Sequence, residues 1–304
     1  MAQHEQWFNK KEVSAGEHRL KLTWWIYKHF GVIPVKLIAF FITLGTLISK
    51  KDIRKYSNDY FQVLYEFTKN KNYKPSFINS LKHSLNYSYS LIDKMLAYSN
   101  NYKNISYKSD DIVFELINKK KGAFFITTHI GNIEMLRALI ADSNIPEVKI
   151  NVFLQASQCE IFNRFVNSIS DQNNVVKLYP VENIDINTSI EIQEKLDNGE
   201  FVFMAGDRLS AGTTEASYEA QFLNRKIQLP IGVMRFALML DCPIFVSVCA
   251  KEKKSYSVST EEFKTYGSKE EQLKQLQQQY ARVLEEYTLK YPYQFYHFYD
   301  LFSE

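Results

Sequence analysis

The chain has 304 residues, of which 45% are hydrophobic, 15% are aromatic and 23% are charged. These fractions exclude an intrinsically disordered or low-complexity protein, and with only 10 Gly and 7 Pro they also exclude a fibrous repeat. The length allows two domains, or one large α/β domain with a helical extension. The high share of Phe and Tyr suits either a large core or a boundary with lipid.

Positive charge is concentrated near the amino terminus. The net charge is +3, but residues 1–60 contain ten Lys or Arg against five Asp or Glu, and the rest of the chain contains 27 against 29. A basic end on a slightly acidic body favours anionic lipid headgroups as a partner. Because the body has no basic stripe, nucleic acid is not a predicted partner.

The pattern from Ala15 to about Asn100 predicts helices only. Its most apolar stretch is Leu37–Ile48, which has lysines on both sides. Twelve residues are too few to span a bilayer, which takes about 20, so we predict an interfacial or shallowly inserted helix. The alternative is a buried core helix. Four aromatic residues are the predicted membrane contacts: Trp24, Trp25, Phe40 and Phe41.

Beyond residue 119, short apolar runs alternate with helical patterns. Five runs predict strands: Ala123–Thr128, Lys149–Leu154, Val175–Tyr179, Phe201–Ala205 and Ile244–Cys249. Four stretches between them predict helices: Glu134–Ala141, Glu160–Ile169, Ser189–Leu196 and Val233–Leu240. Tyr256–Phe263 is a possible further strand, and Lys269–Leu289 is a long polar helix. This alternation predicts an α/β fold with a largely parallel central sheet and helices on both faces. The predicted organisation is a helical region over 1–100 and an α/β domain over 101–304.

His129 is the first candidate for catalysis. It directly follows the strand AFFITT, and in open α/β sheets the reactive groups gather at the carboxyl ends of strands. Glu134 lies five residues later, in HIGNIE, so a loop through Gly131 and Asn132 could bring its carboxylate back to the imidazole. That carboxylate would fix the tautomer of the ring and stabilise the imidazolium, as the acid does in a hydrolase triad.

Several other chemistries have no support in the sequence. The chain contains no G-x-S-x-G elbow, no Walker loop, no H-E-x-x-H and no G-x-G-x-x-G motif. Its three cysteines, Cys159, Cys242 and Cys249, lack metal-ligand spacing, and their number argues against a disulfide framework. We therefore predict no metal site, and covalent catalysis by a cysteine is not favoured.

The motif THIGNIE resembles the His-x4-acid motif of the lysophospholipid acyltransferase superfamily, in particular its bacterial lipid A late (lauroyl and myristoyl) acyltransferase branch. Four further segments resemble that branch in the same order: Asn163–Arg164 in IFNRFVNSI, MAGDRLSAG at Met204–Gly212, the block Gln221–Val248, and the closing YPYQFYHFYDLF. Two residues depart from the pattern, since Leu223 and Asn224 stand where the branch usually has an aromatic residue and Gly. The resemblance covers the chain from about Trp24 to its end.

The resemblance implies a glycerolipid acyltransferase-like fold. It implies transfer of a fatty acyl chain from an acyl carrier protein or coenzyme A thioester to a hydroxyl or amine of a glycolipid or another envelope amphiphile. His129 would be the general base and Glu134 its orienting partner, in a direct transfer without cofactor. The resemblance further implies four substrate-binding residues: Arg164, Asp207, Arg208 and Asn132.

The same resemblance places the enzyme on the cytoplasmic face of the bacterial inner membrane, held there through its N-terminal helices. Two other functions stay open. The chain could be a non-catalytic lipid-binding protein of the same fold, or a thioester hydrolase that uses the same His–acid pair on water.

Overall fold

The computed structural model describes residues 17–98, 105–107, 112–133, 135, 149–155, 176–209 and 216–302. It begins with four α-helices: α1 (Glu17–Phe30), α2 (Val32–Ser49), α3 (Lys51–Thr68) and α4 (Phe77–Tyr98). Every regular element described before residue 99 is helical, which confirms the prediction for this part of the chain.

A seven-stranded sheet forms the centre of the body. Nine strands are described: β1 (Ile105–Tyr107), β2 (Ala123–Gly131), β3 (Ile150–Leu154), β4 (Val176–Pro180), β5 (Phe201–Ala205), β6 (Ser217–Phe222), β7 (Arg225–Pro230), β8 (Ile244–Glu252) and β9 (Ser255–Glu262). The order in the sheet is β1-β9-β8-β2-β5-β3-β4, and β6 and β7 pair separately. Strands β8, β2, β5, β3 and β4 run parallel, whereas β9 is antiparallel to β8. The predicted α/β class and the mostly parallel sheet are confirmed.

Helices cover both faces of this sheet. Four are described after α4: α5 (Ile112–Asn118), α6 (Ile186–Asp197), α7 (Gly232–Met239) and α8 (Lys269–Lys290). Along β2 the buried side chains alternate, so that Phe124 packs in a core shared with α6, α7 and α8 while Phe125 packs in a second core shared with α5. The predicted helices at α6, α7 and α8 are confirmed. The two predicted over 134–141 and 160–169 lie almost wholly outside the described residues.

The hairpin of β6 and β7 was not predicted. Its two-residue turn places both Leu223 and Asn224 at positive φ, at 52° and 59°, as the twist of a tight hairpin requires. Asparagine tolerates this left-handed conformation, so Asn224 does here what the glycine of the resembled family would do. The N–H of Leu223 donates to Oε2 of Glu285 at 2.6 Å, which ties the turn to α8.

The N-terminal helices are joined to the body to different degrees. Helix α3 contributes Tyr60, Phe61 and Leu64 to the main core, so it is part of the body. Helices α1 and α2 pack instead on α4, in a smaller cluster centred on Val35 and Met95. The first two helices therefore form an outer layer attached through α4.

Helix α2 exposes a continuous apolar face. Its side chains there are large and uncharged: Ile33, Leu37, Ile38, Phe41, Ile42 and Ile48. Among the described residues α2 alone is long and apolar enough to cross a membrane, by length and composition only. Of the predicted membrane contacts, Trp25 is 52% exposed and Phe41 is 61% exposed. Trp24 and Phe40 are half-buried, and Trp24 packs inward against the α4 cluster.

Candidate active site

The carboxyl ends of β2 and β5 bring His129 and Asp207 together. In the parallel register of these strands Thr127 pairs with Ala205. His129 lies two residues further along β2, and Asp207 lies two residues beyond the end of β5, so both are at the same edge of the sheet. The fold therefore makes neighbours of two residues 78 positions apart.

The end of β2 has an irregular backbone that the sequence accommodates with glycine. The pairing of β2 with β8 shifts register between Thr127 and Gly131. Gly131 has φ of 71°, and a Cβ there would lie 2.2 Å from the carbonyl oxygen of Cys249. Only glycine fits such a conformation and such an approach. The irregularity places His129 within the bend at the sheet edge.

The Asp207 carboxylate accepts two hydrogen bonds from His129. Oδ2 accepts the backbone N–H at 2.6 Å, and Oδ1 lies 2.7 Å from Nδ1 of the ring. Asp207 is completely buried, whereas the His129 side chain is 38% exposed. An ionised carboxylate can only accept, so Nδ1 carries the proton and the second ring nitrogen, Nε2, is unprotonated in the neutral ring.

Nε2 of His129 has no hydrogen-bond partner among the described residues. The ring is therefore fixed at Nδ1 by Asp207, and its other nitrogen is unprotonated in a side chain that is 38% exposed. A nitrogen in this state can accept a proton from a bound hydroxyl, amine or water.

Electrostatics keep His129 neutral and Asp207 ionised near pH 7. Burial lowers the pKa of His129 below its usual value, and the nearby Arg208 lowers it further, although Asp207 opposes both. Burial by itself would raise the pKa of Asp207, but the His129 hydrogen bond, Arg208 and, at the low pH where this carboxylate titrates, the protonated rings of His129 and His297 hold that pKa well below its usual range. The pair thus consists of a neutral base and a charged carboxylate.

Two contacts fix the backbone that carries Asp207. The N–H of Gly206 donates to the Thr127 carbonyl at 3.0 Å, and the same oxygen accepts the Tyr280 hydroxyl at 2.8 Å. A Cβ at Gly206 would lie 2.8 Å from Ile126 and 3.0 Å from Tyr280. Helix α8 therefore packs directly beneath the catalytic edge, where there is no space for a side chain at position 206.

The other predicted site residues have different outcomes. Arg208 donates from a terminal nitrogen to the carbonyl of Tyr296, so it holds the C-terminal segment beside the site. Asn132 is buried; its backbone N–H donates to Cys249 at 2.7 Å and its side-chain amide donates to Ser90 on α4 at 2.8 Å. These bonds join the end of β2 to a neighbouring strand and to α4, and a contact of Asn132 with substrate stays a prediction.

Glu134 and Arg164 lie outside the described residues. Nδ1 of His129 is held by Asp207, a residue predicted to bind substrate, and the predicted contact of Glu134 with the imidazole stays a prediction. Because Asp207 is fully buried behind the ring of His129, it acts on the histidine rather than on a substrate.

His297 was missed by the sequence reasoning. It lies in the aromatic segment after the short 3-10 helix Pro292–Gln294, and its Nε2 is 3.2 Å from the carbonyl oxygen of Asp207. The only sequence signal was a histidine in a segment with seven Phe or Tyr within residues 291–302. This pattern does not indicate which residue the histidine contacts.

Neither cysteine of the described part is suited to nucleophilic attack. Burial raises the pKa of the Cys242 thiol to about 12 and raises that of Cys249 as well. Within the described ranges, no group of three or more His, Cys, Asp or Glu residues is arranged to hold a metal ion. The chemistry available at this edge is therefore that of the His129–Asp207 pair.

Comparison of the sequence with protein-family models and with curated proteins found no match to either.

Proposed function

We propose that this protein is an acyltransferase that moves a fatty acyl chain from an acyl carrier protein or coenzyme A thioester to a lipid acceptor. The observation that carries the proposal is the His129–Asp207 pair, in which a buried carboxylate holds Nδ1 of a 38% exposed histidine and leaves Nε2 unprotonated. Such a pair provides the general base that attack by a hydroxyl or amine requires. The order of motifs in the sequence supports a lipid substrate.

The reaction would proceed by direct transfer. The acceptor oxygen or nitrogen attacks the thioester carbonyl while Nε2 of His129 takes its proton, and the tetrahedral oxyanion then collapses with cleavage of the C–S bond. The imidazolium returns the proton to the leaving thiolate, so the enzyme is restored in one cycle. Asp207 remains ionised throughout and stabilises the transient imidazolium.

The exposed face of α2 supports an acceptor drawn from a membrane. Helix α2 is joined to α4 by a hydrogen bond between Thr43 and Ser88 at 2.7 Å, and α4 is joined to the end of β2 through Ser90 and Asn132. The apolar face and the catalytic edge are therefore linked through a single helix. We place the N-terminal helices on the cytoplasmic face of the bacterial inner membrane, with acceptors of the glycolipid or envelope-lipid class. A glycerolipid acyltransferase-like fold belongs to the same proposal.

A thioester hydrolase is the second candidate. The observation in its favour is the 38% exposure of the His129 side chain, because the same nitrogen could activate a water molecule. The two functions differ in what happens without an acceptor: a hydrolase releases the fatty acid at full rate, whereas a transferase needs the acceptor.

The test uses purified full-length protein, acyl thioesters on carrier protein and on coenzyme A, and vesicles that contain phospholipid and glycolipid acceptors. We expect acyl transfer by the wild type and a loss of roughly 100-fold or more in His129→Gln. His29→Gln serves as the matched control, since this exposed histidine of α1 donates from Nδ1 to the carbonyl oxygen of Trp25 at 2.8 Å. Equal acyl release with and without acceptor would instead establish the hydrolase. Lipid binding without turnover in the wild type would establish a binding protein.

A further inference from the structure

A second histidine lies against the catalytic carboxylate. The ring of His297 is 1% exposed, and its Nε2 lies 3.6 Å from Oδ2 of Asp207 as well as 3.2 Å from the backbone oxygen of that residue. The rings of His129 and His297 are nearly perpendicular, at 89°, with centroids 6.4 Å apart. Oδ1 of Asp207 thus faces one histidine, and Oδ2 has the other close by.

The contacts of His297 fix its protonation state. A carbonyl oxygen only accepts, so Nε2 must carry the proton and donate it. Burial lowers the pKa of His297 to about 3, with Arg208 and His129 adding to the effect, so the ring is neutral. Nδ1 is then an acceptor, and it is buried without a hydrogen-bond partner among the described residues.

The imidazole of His297 lies among aromatic rings, and its Nδ1 is buried without a partner among the described residues. The ring stacks on Phe295 with centroids 4.0 Å apart and contacts Tyr299 at 5.3 Å, so its surroundings are largely aromatic. A buried polar atom without a partner costs about 1–3 kcal/mol. The compensating group is Nε2–H, and its two nearest acceptors both belong to Asp207.

We propose that His297 is a positioning residue that acts through Asp207, holding its backbone and carboxylate in the orientation that keeps the proton of His129 on Nδ1. The kinetic part of this proposal rests on the proposed acyltransferase function, whereas the effect on the His129 tautomer does not. His297 itself touches neither substrate nor the reacting nitrogen, since Asp207 lies between the two rings.

The consequence is that the imidazole of His129 keeps one tautomer and one orientation. With Asp207 anchored at its carbonyl, both carboxylate oxygens stay directed at the N–H groups of His129 and Nε2 remains free for substrate. Without that anchor the carboxylate gains rotational freedom, and the ring can adopt the Nε2–H tautomer, in which the catalytic nitrogen is already protonated.

Two variants separate the hydrogen bond donated by the His297 side chain from its packing. In His297→Gln the side-chain amide keeps a donor near the position of Nε2, whereas His297→Leu keeps comparable volume and removes the donor. Each protein is labelled with 15N-histidine, and the 15N shifts of His129 at pH 8 report which ring nitrogen is protonated. Thermal unfolding measured on the same samples identifies variants that fail to fold, and acyl transfer gives kcat and KM.

We expect the wild type and His297→Gln to show His129 protonated at Nδ1 only. His297→Leu should show a mixture of tautomers and a kcat lower by about 3- to 10-fold with little change in KM, as the loss of one neutral hydrogen bond predicts. A folded Leu variant with wild-type shifts and kcat would overturn the proposal. If the Leu variant does not fold, a folded Gln variant with altered His129 shifts would equally overturn it.

An inactive wild type would refute the acyltransferase function without deciding the role of His297, because the NMR comparison still measures the His129 tautomer directly. The failures of the two proposals are thus distinguishable.

Discussion

Asp207→Asn should abolish most of the activity while preserving the shape of the site. An amide has a single acceptor oxygen, but His129 presents two donors to this side chain, its backbone N–H at 2.6 Å and its ring Nδ1–H at 2.7 Å. The backbone N–H cannot change, so it keeps the oxygen, and the amide N–H₂ then faces Nδ1. The ring must respond by moving its proton to Nε2, which removes the catalytic base.

The size of the effect follows from these contacts. Loss of a hydrogen bond to a charged carboxylate costs about 1.5–3 kcal/mol. In addition, the ring must return to the tautomer with its proton on Nδ1 at each turnover, and the mismatched hydrogen bond to the amide that this creates costs about 1–2 kcal/mol. A total of about 2.5–5 kcal/mol corresponds to a loss of roughly 10²- to 5 × 10³-fold in kcat. The same substitution in a serine protease triad costs about 10⁴-fold.

The assay for this prediction is acyl transfer to vesicle acceptors, with 15N shifts of His129 as the structural readout. Asp241→Asn is the matched control, because this exposed carboxylate lies just before β8, at the opposite end of the sheet from His129. Asp207→Asn with kcat within about threefold of wild type would refute the assigned role of the carboxylate, since one mismatched hydrogen bond alone predicts more.

The structure makes three further predictions. The pKa of His83 is lowered to about 4 and that of His297 to about 3, mainly by burial, so the unfolded chain binds more protons below pH 6.5 and stability falls as the pH drops toward those values. Urea titrations should give a free energy of unfolding about 2 kcal/mol lower at pH 5.5 than at pH 6.5. About half of that difference should be lost in His83→Gln. A free energy of unfolding that does not change with pH would contradict the buried neutral rings. Phe41→Asp on the exposed face of α2 should weaken sedimentation with phosphatidylglycerol vesicles about tenfold, whereas Ile186→Asp, at a more exposed apolar site on α6, should leave it unchanged. Equal effects of the two substitutions would refute the membrane face. Asn224→Val should lower thermal stability by about 1–2 kcal/mol because a β-branched side chain disfavours φ of 59°, and Asn224→Gly should change it by less than about 1 kcal/mol.

The sequence predicted the strands and their catalytic edge because both depend on local patterns. Continuous apolar runs such as AFFITT mark strands buried on both faces, and these strands lie within a few residues of the observed bounds. The rule that active groups follow strand ends then selected His129, and the resemblance named Asp207. The α/β class was therefore accessible from the sequence, whereas a catalytic role for this edge stays a prediction.

The partner of His129 was not accessible, because it depends on register. Glu134 is five residues from the histidine, whereas Asp207 reaches it only because Thr127 pairs with Ala205 across two strands. The local sequence of neither strand indicates which residues of β2 and β5 pair. His297 was even harder to predict, because the segment after α8 and the short 3-10 helix places it next to Asp207, 90 residues away in the sequence.

The hairpin of β6 and β7 was missed for a different reason. Its turn has no glycine, and the positive φ angles fall on Leu223 and Asn224, a pair that gives a weak turn signal. The long-range bond from the Leu223 N–H to Glu285 supports the turn from outside the hairpin.

The most direct test of the central claim is mass spectrometry of envelope lipids from cells that express the wild type, His129→Gln or neither. The account predicts a lipid heavier by one acyl group in the wild type alone, with the mass difference naming both the acceptor and the chain. The same acylated lipid in the wild type and in His129→Gln would show that His129 is not the base, and identical lipids in all three samples would contradict acyl transfer.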